Sequence, residues 1–216
     1  MTTTNQVSSP EFQTVIRERH SVRKYDPSFR ITREEMEQML QEATLAPSSS
    51  NLQPWRFLVI DDQSLKEKLL PIAFNQQQVI DASHVIAVLA DKESYRYADT
   101  IYSRAVDVKF MDAETKERMV DRITGDSSPY RNAEIAKDIG LVDAGLISMQ
   151  FMLVAKAHGY DTVPMGGFNK AQFNEFFNVP DRYETVMLIA VGKAAVQAHA
   201  SVRLTLDEVS FWNEIK

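Results

Sequence analysis

The sequence contains no cysteine, and this absence removes several classes of site. Disulfides, thiolate zinc sites, iron–sulfur clusters on cysteine ligands and a cysteine nucleophile are all excluded. Glycine is also scarce, at 7 of 216 residues, and no G-x-G-x-x-G occurs. The one G-x-x-x-x-G, from Gly140 to Gly145, is not followed by Lys-Ser or Lys-Thr. A phosphorylated ligand would therefore have to be held by side chains rather than by a glycine-rich backbone loop.

Other absences narrow the function further. No two histidines stand at i, i+4 and no G-x-S-x-G occurs, so neither a zinc-hydrolase helix nor a serine elbow is predicted, and we expect no metal. A net charge of −6 argues against nucleic-acid binding. No apolar run approaches ~18 residues without a charge, and residues 1–10 are polar. We therefore expect no membrane span, no secretion signal and a cytoplasmic location.

Length and patterning predict one domain, residues 1–216, with a core at 10–209. Thr32 to Glu35 forms a capping box, and the helix that it begins should stop before Pro47. Residues 141–157 are apolar nearly all round, so a helix over 133–158 should be central and buried, with Gly159 ending it. Further helices are expected at 11–20, 64–73 and 168–177, a short turn at 79–82, and strands at 55–60, 85–90 and 185–191.

Two segments have an unusual composition. Residues 93–132 are polar with scattered aromatics and are interpreted as a variable helical insertion. Residues 201–216 form a tail with apolar side chains but little core of its own, so a partner subunit is the simplest surface for it to pack against. Gly140 and Gly145 in the long helix favour close backbone packing, and a subunit interface is one place for it.

A basic segment (residues 19–24) is the first candidate site. From Arg17 to Arg33 there are six basic and two acidic residues, so the rest of the chain sums to −10. Arg19, Ser21 and Arg23 could converge on one phosphate, because guanidinium groups match phosphate oxygens. The alternative is a solvated basic turn that caps the preceding helix.

Two other segments have ligand-binding chemistry. The polar loop (residues 47–53) places small hydrogen-bonding side chains between prolines and could grip a polar heterocycle. Its alternative is a helix stop and turn with Trp55 in the core. The glycine turn (residues 164–167) would let backbone N–H groups approach a flat ligand, or it is a plain turn before a helix.

Together these segments resemble the FMN-dependent nitroreductase superfamily. The resemblance lies in the order and spacing of five segments and runs from about Phe12 to Val209. It includes Arg-His-Ser-x-Arg-Lys-Tyr-Asp from Arg19 and Ala-Pro-Ser-Ser-x-Asn-x-Gln-Pro-Trp-x-Phe from Ala46. The five segments are residues 19–26, 46–57, 74–85, 161–168 and 203–209.

The resemblance implies an α+β fold, a mostly antiparallel sheet sandwiched by helices, and an intertwined homodimer with two FMN sites at the interface. Arg19, Ser21 and Arg203 would hold the phosphate and ribityl chain, and Arg23 would lie near the pyrimidine edge. The polar loop would contact the same flavin from the other subunit. The residues implied in FMN binding are Arg19, His20, Ser21, Arg23, Pro47, Ser48, Ser49, Asn51, Asn75, Gln78, Pro164, Met165, Gly166, Gly167 and Arg203.

The function that the resemblance implies is reduction of nitroaromatics, quinones or similar electron-poor acceptors by NADH or NADPH. Hydride transfers would alternate at flavin N5, near the Gly167 N–H, and no side chain need act as nucleophile or base. Gly166 stands where many relatives carry glutamate, which leaves the NADH or NADPH preference open. The alternatives are a specialised member, such as a flavin reductase or a ring dehydrogenase, and a flavin-binding protein without turnover.

Overall fold

The computed structural model describes residues 11–215, so residues 1–10, used in the prediction on secretion, lie outside the described residues. The strands are β1 (Trp55–Ile60), β2 (His84–Asp91), β3 (Asp161–Met165) and β4 (Tyr183–Gly192). The helices are α1 (Phe12–Glu18), α2 (Arg33–Ala43), α3 (Gln63–Ile72), α4 (Gln78–Asp81), α5 (Ala98–Asp107), α6 (Ala113–Thr124), α7 (Ala133–Ala157), α8 (Lys170–Phe176) and α9 (Leu206–Val209).

The four strands form one antiparallel sheet in the order β1-β2-β4-β3. β2 is buried along its whole length, and its side chains alternate between the two faces of the sheet. Val85 and Ala87 enter one hydrophobic core, whereas Ile86 and Val88 enter the other. The strands predicted at 55–60, 85–90 and 185–191 are confirmed, each to within two residues at either end.

Helices cover both faces of the sheet. On one face α3, α4 and α8 contribute Leu69, Val79 and Phe173 to the core. On the other face α2 and α7 contribute Met39 and Phe151. The predicted α+β arrangement, an antiparallel sheet between helices, is confirmed.

The N-terminus of α2 shows the predicted capping box. The Thr32 hydroxyl accepts the Glu35 N–H at 3.1 Å, and the Glu35 carboxylate accepts the Thr32 N–H at 3.2 Å. These two bonds satisfy backbone donors that the first helical turn would otherwise leave free. The helix ends at Ala43, before Pro47, as predicted.

The long helix α7 differs from the prediction in its burial. One face packs on the sheet through Ile147 and Phe151, but Val142, Leu146 and Met149 are exposed in the single chain. The expectation of a helix buried all round is therefore wrong for this chain alone, because the sheet covers only one of its apolar faces. Gly159 follows the helix with φ +80°, as its predicted role at the C-terminus requires.

By length and composition alone, α7 could cross a membrane, although no span was predicted from the sequence. It is the one helix among residues 11–215 with this property. Its inward face lies against β2 and carries the buried carboxylate of Asp143. In this fold α7 therefore serves as a core helix.

The sequence prediction missed β3. This strand pairs with β4 at the edge of the sheet, with Thr162 opposite Val191 and Pro164 opposite Ile189. Its five residues include a proline, which suggested a turn. An edge strand tolerates proline, because the missing N–H can face away from the ladder.

Residues 93–132 form two helices, α5 and α6, between short 3₁₀ turns. They have a small core of their own, in which Ala98, Tyr102 and Ile123 surround Leu52 of the polar loop. The tail, by contrast, leaves its apolar side chains exposed within the single chain, with Trp212 85% accessible.

Candidate functional site

The basic segment runs beside the sheet edge formed by β3. α1 ends at Glu18, and Ser21 then pairs with Thr162 as an isolated parallel bridge, with the Val22 N–H donating to the Thr162 carbonyl at 3.1 Å. This bridge holds Arg19 and Arg23 at the sheet edge. Among residues 11–215 neither arginine forms an ion pair, so both guanidinium groups are available to an anion.

His20 differs from its neighbours, because its imidazole Nδ1 lies 2.8 Å from the Glu18 carbonyl oxygen. This contact fixes the ring on the turn that follows α1. Beside it, the hydroxyl of Thr162 is buried and has no hydrogen-bond partner within the part of the chain described. Thr162 is only 1% accessible, so its contribution at this edge is the backbone carbonyl that fixes Val22 rather than its side chain.

The glycine turn lies at the end of β3, about 10 Å along the strand from Thr162 at 3.3 Å per residue. An added Cβ at Gly166 or Gly167 would meet no atom within 4 Å, so the backbone there is open to a ligand. Pro164 is exposed, whereas the Met165 side chain points into the core and is 4% accessible. Only the backbone of Met165 therefore faces the open side of this turn.

A glutamine segment (residues 75–78) contacts the glycine turn directly. The Gln76 amide donates to the Gly167 carbonyl at 2.8 Å, and the Gln78 amide donates to the Gln76 side-chain oxygen at 3.0 Å and to Met165 Sδ at 3.3 Å. Asn75 is exposed and adopts φ +56°, a left-handed conformation that asparagine tolerates. The structure thus brings the basic segment, the glycine turn and the glutamine segment to one sheet edge.

Gln76 was missed by the sequence analysis, although its side chain connects the predicted residue Gln78 to the predicted glycine turn. A run of three glutamines gives no signal for which one turns inward. Gln78 is buried, and its amide N–H groups are engaged within the chain. Gln78 was predicted to face a flavin ring. With its amide N–H groups engaged, it could contact such a ring only through the small part of the residue that stays accessible.

The polar loop lies at the opposite edge of the sheet, immediately before β1. Three intervening spacings of about 4.8 Å separate the edge strands β1 and β3, or roughly 14 Å. Its hydrogen bonds run to α7 and to the 93–132 segment: Ser49 bonds Asp143, and Ser50 bonds Tyr102 and Tyr130. Within one chain the structure therefore does not bring Pro47, Ser48, Ser49 and Asn51 together with Arg19.

Arg203 also stays apart from the basic segment in the single chain. Its guanidinium donates to the Val202 carbonyl at 2.8 Å and lies in the exposed tail. The chain just before it does return to the basic segment, because the Ala195 N–H donates to the Lys24 carbonyl at 2.9 Å. There a cleft of about 420 Å³ is lined by Ser21, Arg23, Lys24, Val196, Gln197, Ala198 and His199.

Two buried charges lie near these segments. The ammonium of Lys66 donates to the carbonyls of Ala82 at 2.7 Å and Ile80 at 3.2 Å, at the C-terminal end of α4. Burial lowers the pKa of Lys66 to about 8. Burial raises the pKa of Asp143, against the hydrogen bonds that it accepts from Ser49. Neither residue was singled out from the sequence, although Asp143 is the one charged residue in the apolar stretch 139–155.

The arrangement fits a planar ligand with an anionic tail. The guanidinium groups of Arg19 and Arg23, which form no ion pair within residues 11–215, and the Ser21 hydroxyl match phosphate and sugar oxygens in chemistry. The open backbone of Gly166 and Gly167 allows close approach of a flat ring. The donor set at this edge therefore suits a flavin mononucleotide.

Comparison with known proteins agrees with this reading. Residues 16–193 match the model of the Nitroreductase family, and the chain belongs to that family. It is 46% identical over 95% of its length, and 99% of the relative's, to a Bacillus subtilis protein described as "Putative NAD(P)H nitroreductase YdgI". It is 36% identical to the "CLA biosynthesis enone reductase" of Lactiplantibacillus plantarum, over 82% of both chains.

A solved structure is equally similar. The chain is 47% identical to a protein from Exiguobacterium sibiricum that is described as "a putative nitroreductase in complex with FMN". The TM-score is 0.89, and the match covers 95% of this chain and 98% of that one. The fold predicted from the resemblance is thus confirmed by its likeness to solved members of the family.

Proposed function

We propose that this protein is an FMN-dependent NAD(P)H oxidoreductase that reduces electron-poor acceptors such as nitroaromatics and quinones. The observation that carries the proposal is that the basic segment and the glycine turn lie along the same edge strand, β3: Arg19 and Arg23, without ion pairs among the described residues, flank the bridge at Thr162, and the open backbone of the turn ends the strand. The family membership and the FMN bound to the Exiguobacterium relative support it. Since this chemistry consumes NADH or NADPH, we place the protein in the cytoplasm.

The basic segment would hold the cofactor by charge. Arg19 and Ser21 would bind the phosphate and ribityl chain, with Arg203 joining them from the tail. Arg23 would lie near the pyrimidine edge and stabilise the negative charge that develops there. Asn75 and Gln78 would contact the ring, and the Gly167 N–H would point at its reactive edge.

Bound FMN would supply hydride transfer between NAD(P)H and the acceptor, chemistry that no side chain in the protein can perform. The protein contributes position and charge. Because Gly166 and Gly167 have no side chains, the glycine turn would leave room for a flat substrate to stack on the flavin. The proton for the acceptor can come from water. Gly166 offers no carboxylate to the nicotinamide donor, so either NADH or NADPH is compatible with this turn.

A complete site would need two chains. The polar loop and the basic segment lie at opposite edges of the sheet in one chain, so they would serve one flavin only across an interface. Val142, Leu146 and Met149 on α7 and the apolar tail are exposed in the single chain and would be covered in a homodimer. We therefore infer that one folding unit, residues 1–216, pairs with a second copy, with the tail at 201–216 packed on the partner.

Steady-state oxidation of NADH and NADPH tests this function. With FMN supplied, we expect turnover that depends on an added acceptor, measured against a panel of nitroaromatics, quinones and free flavins. A conjugated enone belongs in the panel because one relative is named an enone reductase. Turnover confined to free flavin would favour a flavin reductase, and bound FMN that is never reduced would favour a flavin-binding protein without turnover.

A further inference from the structure

Asp143 is a buried carboxylate on the inward face of α7. Its accessibility is 1%, and it is the one charged residue between positions 139 and 155 of the helix. Burying a carboxylate is unfavourable unless its oxygens are hydrogen-bonded or paired with a cation. Among residues 11–215, Asp143 forms no ion pair, so its partners must be neutral donors.

Those donors all belong to the polar loop. The Ser49 N–H donates to both carboxylate oxygens of Asp143, at 3.1 and 3.2 Å, and the Ser49 hydroxyl donates to one of them at 3.2 Å. The residues are 94 positions apart in sequence, so this contact is made by the fold and not by local structure. The hydrogen bonds that stabilise the buried carboxylate therefore come from one residue near the start of the loop, Ser49.

The loop needs such support because its backbone is strained. Ser50, Asn51 and Gln53 have φ of +50°, +52° and +47°, in the left-handed region that side chains with a Cβ disfavour. Strained backbone persists only where surrounding contacts determine it. Here the Ser48 hydroxyl also accepts the Gln53 N–H at 3.0 Å, which closes the loop on itself.

The 93–132 segment supplies a second anchor. The Tyr102 hydroxyl donates to the Ser50 carbonyl at 2.8 Å, and the Ser50 and Tyr130 hydroxyls share a hydrogen bond of 2.7 Å. Leu52 packs into the same small core as Tyr102. Asp143 on α7 therefore holds the residue just before the strained stretch, while Tyr102 on α5 holds its first residue.

We propose that Asp143 is a positioning residue which, together with Tyr102, fixes the polar loop in the conformation that presents exposed Pro47 and Asn51 to the flavin bound by a second subunit. The proposal rests on the proposed function, in which the loop completes the partner's FMN site. The 93–132 segment then has a specific role, because its Tyr102 and Tyr130 support the loop that would bind the cofactor.

The test is FMN binding by the full chain, measured by flavin fluorescence titration. Asp143→Ala removes both acceptors, and we expect the FMN dissociation constant to rise about tenfold. Asp143→Asn keeps one oxygen for the Ser49 N–H and should restore affinity to within about threefold of the wild type. Tyr102→Phe keeps the ring in its core but loses the donor, so FMN affinity should fall severalfold.

Ser148→Ala is the matched control, because Ser148 is also buried on α7 but, within residues 11–215, its hydroxyl bonds only the Ala144 carbonyl of its own helix. It should leave FMN affinity unchanged. Asn51→Ala is then added to the wild type and to Asp143→Ala. If Asp143 acts through the loop, the fold-loss from Asn51→Ala shrinks in the Asp143→Ala background, since the loop is already misplaced.

The outcomes separate the two claims. A wild type that does not bind FMN overturns the proposed function itself. If the wild type binds FMN and the Asp143→Ala and Tyr102→Phe variants bind it no more weakly than Ser148→Ala, the positioning role alone is overturned. The positioning role is also overturned if Asn51→Ala reduces FMN affinity by the same factor in the wild type and in Asp143→Ala. Should Asp143→Ala fail to fold by circular dichroism, Tyr102→Phe with and without Asn51→Ala decides the question by the same criteria.

Discussion

At the scale of single residues, Arg19 and Arg23 occupy the same sheet edge but are expected to act on different parts of the ligand. Arg19→Ala should raise the FMN dissociation constant roughly tenfold to a hundredfold, because a charge-assisted bond to phosphate contributes about 1.5–3 kcal/mol. Flavin that remains bound should accept hydride at a near-normal rate. Affinity titration and single-turnover reduction with NAD(P)H measure the two effects separately.

Arg23→Ala should weaken FMN binding and should also lower the midpoint potential of the bound flavin and slow its reduction at saturating FMN, because this guanidinium would stabilise charge that appears on reduction. Potentiometry on both variants distinguishes the roles. A shift in potential for Arg19→Ala and none for Arg23→Ala would reverse the assignment. Small stability losses in both, without change in affinity or potential, would mean a solvated basic turn.

Lys66 gives a prediction for stability against pH. The unfolded chain carries this lysine at its ordinary pKa of 10.5, whereas burial lowers the pKa to about 8 in the fold. Between these pH values the unfolded chain binds more protons, so the free energy of unfolding should rise with pH through this window. The contribution is on the order of 3 kcal/mol, at 1.36 kcal/mol per pKa unit.

Lys66→Met should abolish that slope, and urea denaturation of both proteins from pH 7 to 10 measures it. Taking the difference between the two curves cancels the titration of other groups, including Tyr160, whose pKa burial raises to about 12. Lys68→Met, on the exposed side of α3, is the control and should run parallel to the wild type. Parallel curves for Lys66→Met as well would show that Lys66 is not desolvated in the fold.

At the scale of elements, the two glycines of α7 make a matched pair. A Cβ on Gly140 would lie 2.9 Å from the Ala90 Cβ on β2, whereas a Cβ on Gly145 would meet nothing within 4 Å. Alanine favours a helix over glycine by about 1 kcal/mol. At position 140 that gain is opposed by overpacking of ~1–3 kcal/mol.

Gly140→Ala should therefore be less stable than Gly145→Ala by about 1–3 kcal/mol in urea unfolding at equal protein concentration. The prediction depends on α7 lying tightly against β2 at Gly140. Equal stability of the two variants would be incompatible with that close approach. Close packing against β2 therefore explains Gly140, whereas no described residue of the same chain requires glycine at position 145.

The elements show what could be predicted from sequence and what could not. β2 and the capping box of α2 follow local patterns, and both were predicted correctly. β3 was missed because Pro164 and the following glycines are also typical of a turn, and only pairing with β4 makes the segment a strand. The burial of α7 was overestimated because periodicity does not say which apolar face the same chain covers.

The candidate site was likewise predicted only in part from the sequence. Its predicted members came from a resemblance in motif order, and the structure places those of the basic segment and glycine turn at one edge. Gln76, Asp143 and Tyr102 were missed because their roles depend on contacts with residues far away in sequence. Asp143 did carry a signal, a lone acid in an apolar helix, that could have marked it.

At the scale of the whole molecule, the division of the site between two sheet edges predicts an obligate dimer. Light scattering at low micromolar concentration should give about twice the chain mass of 24.6 kDa. The exposed apolar face of α7 and the tail supply the surface for it. A stable monomer that still holds FMN would rule out a site shared between chains.

The identity of the bound cofactor tests the central claim most directly. The protein should purify yellow, or turn yellow when FMN is supplied, because the basic segment can hold one terminal phosphate. FMN is expected rather than FAD, because the sequence contains no glycine-rich motif for binding a dinucleotide. Release of the flavin by denaturation, followed by chromatography against FMN and FAD standards, should yield FMN alone at one molecule per chain. Recovery of FAD, or of no flavin after incubation with FMN, would contradict the account.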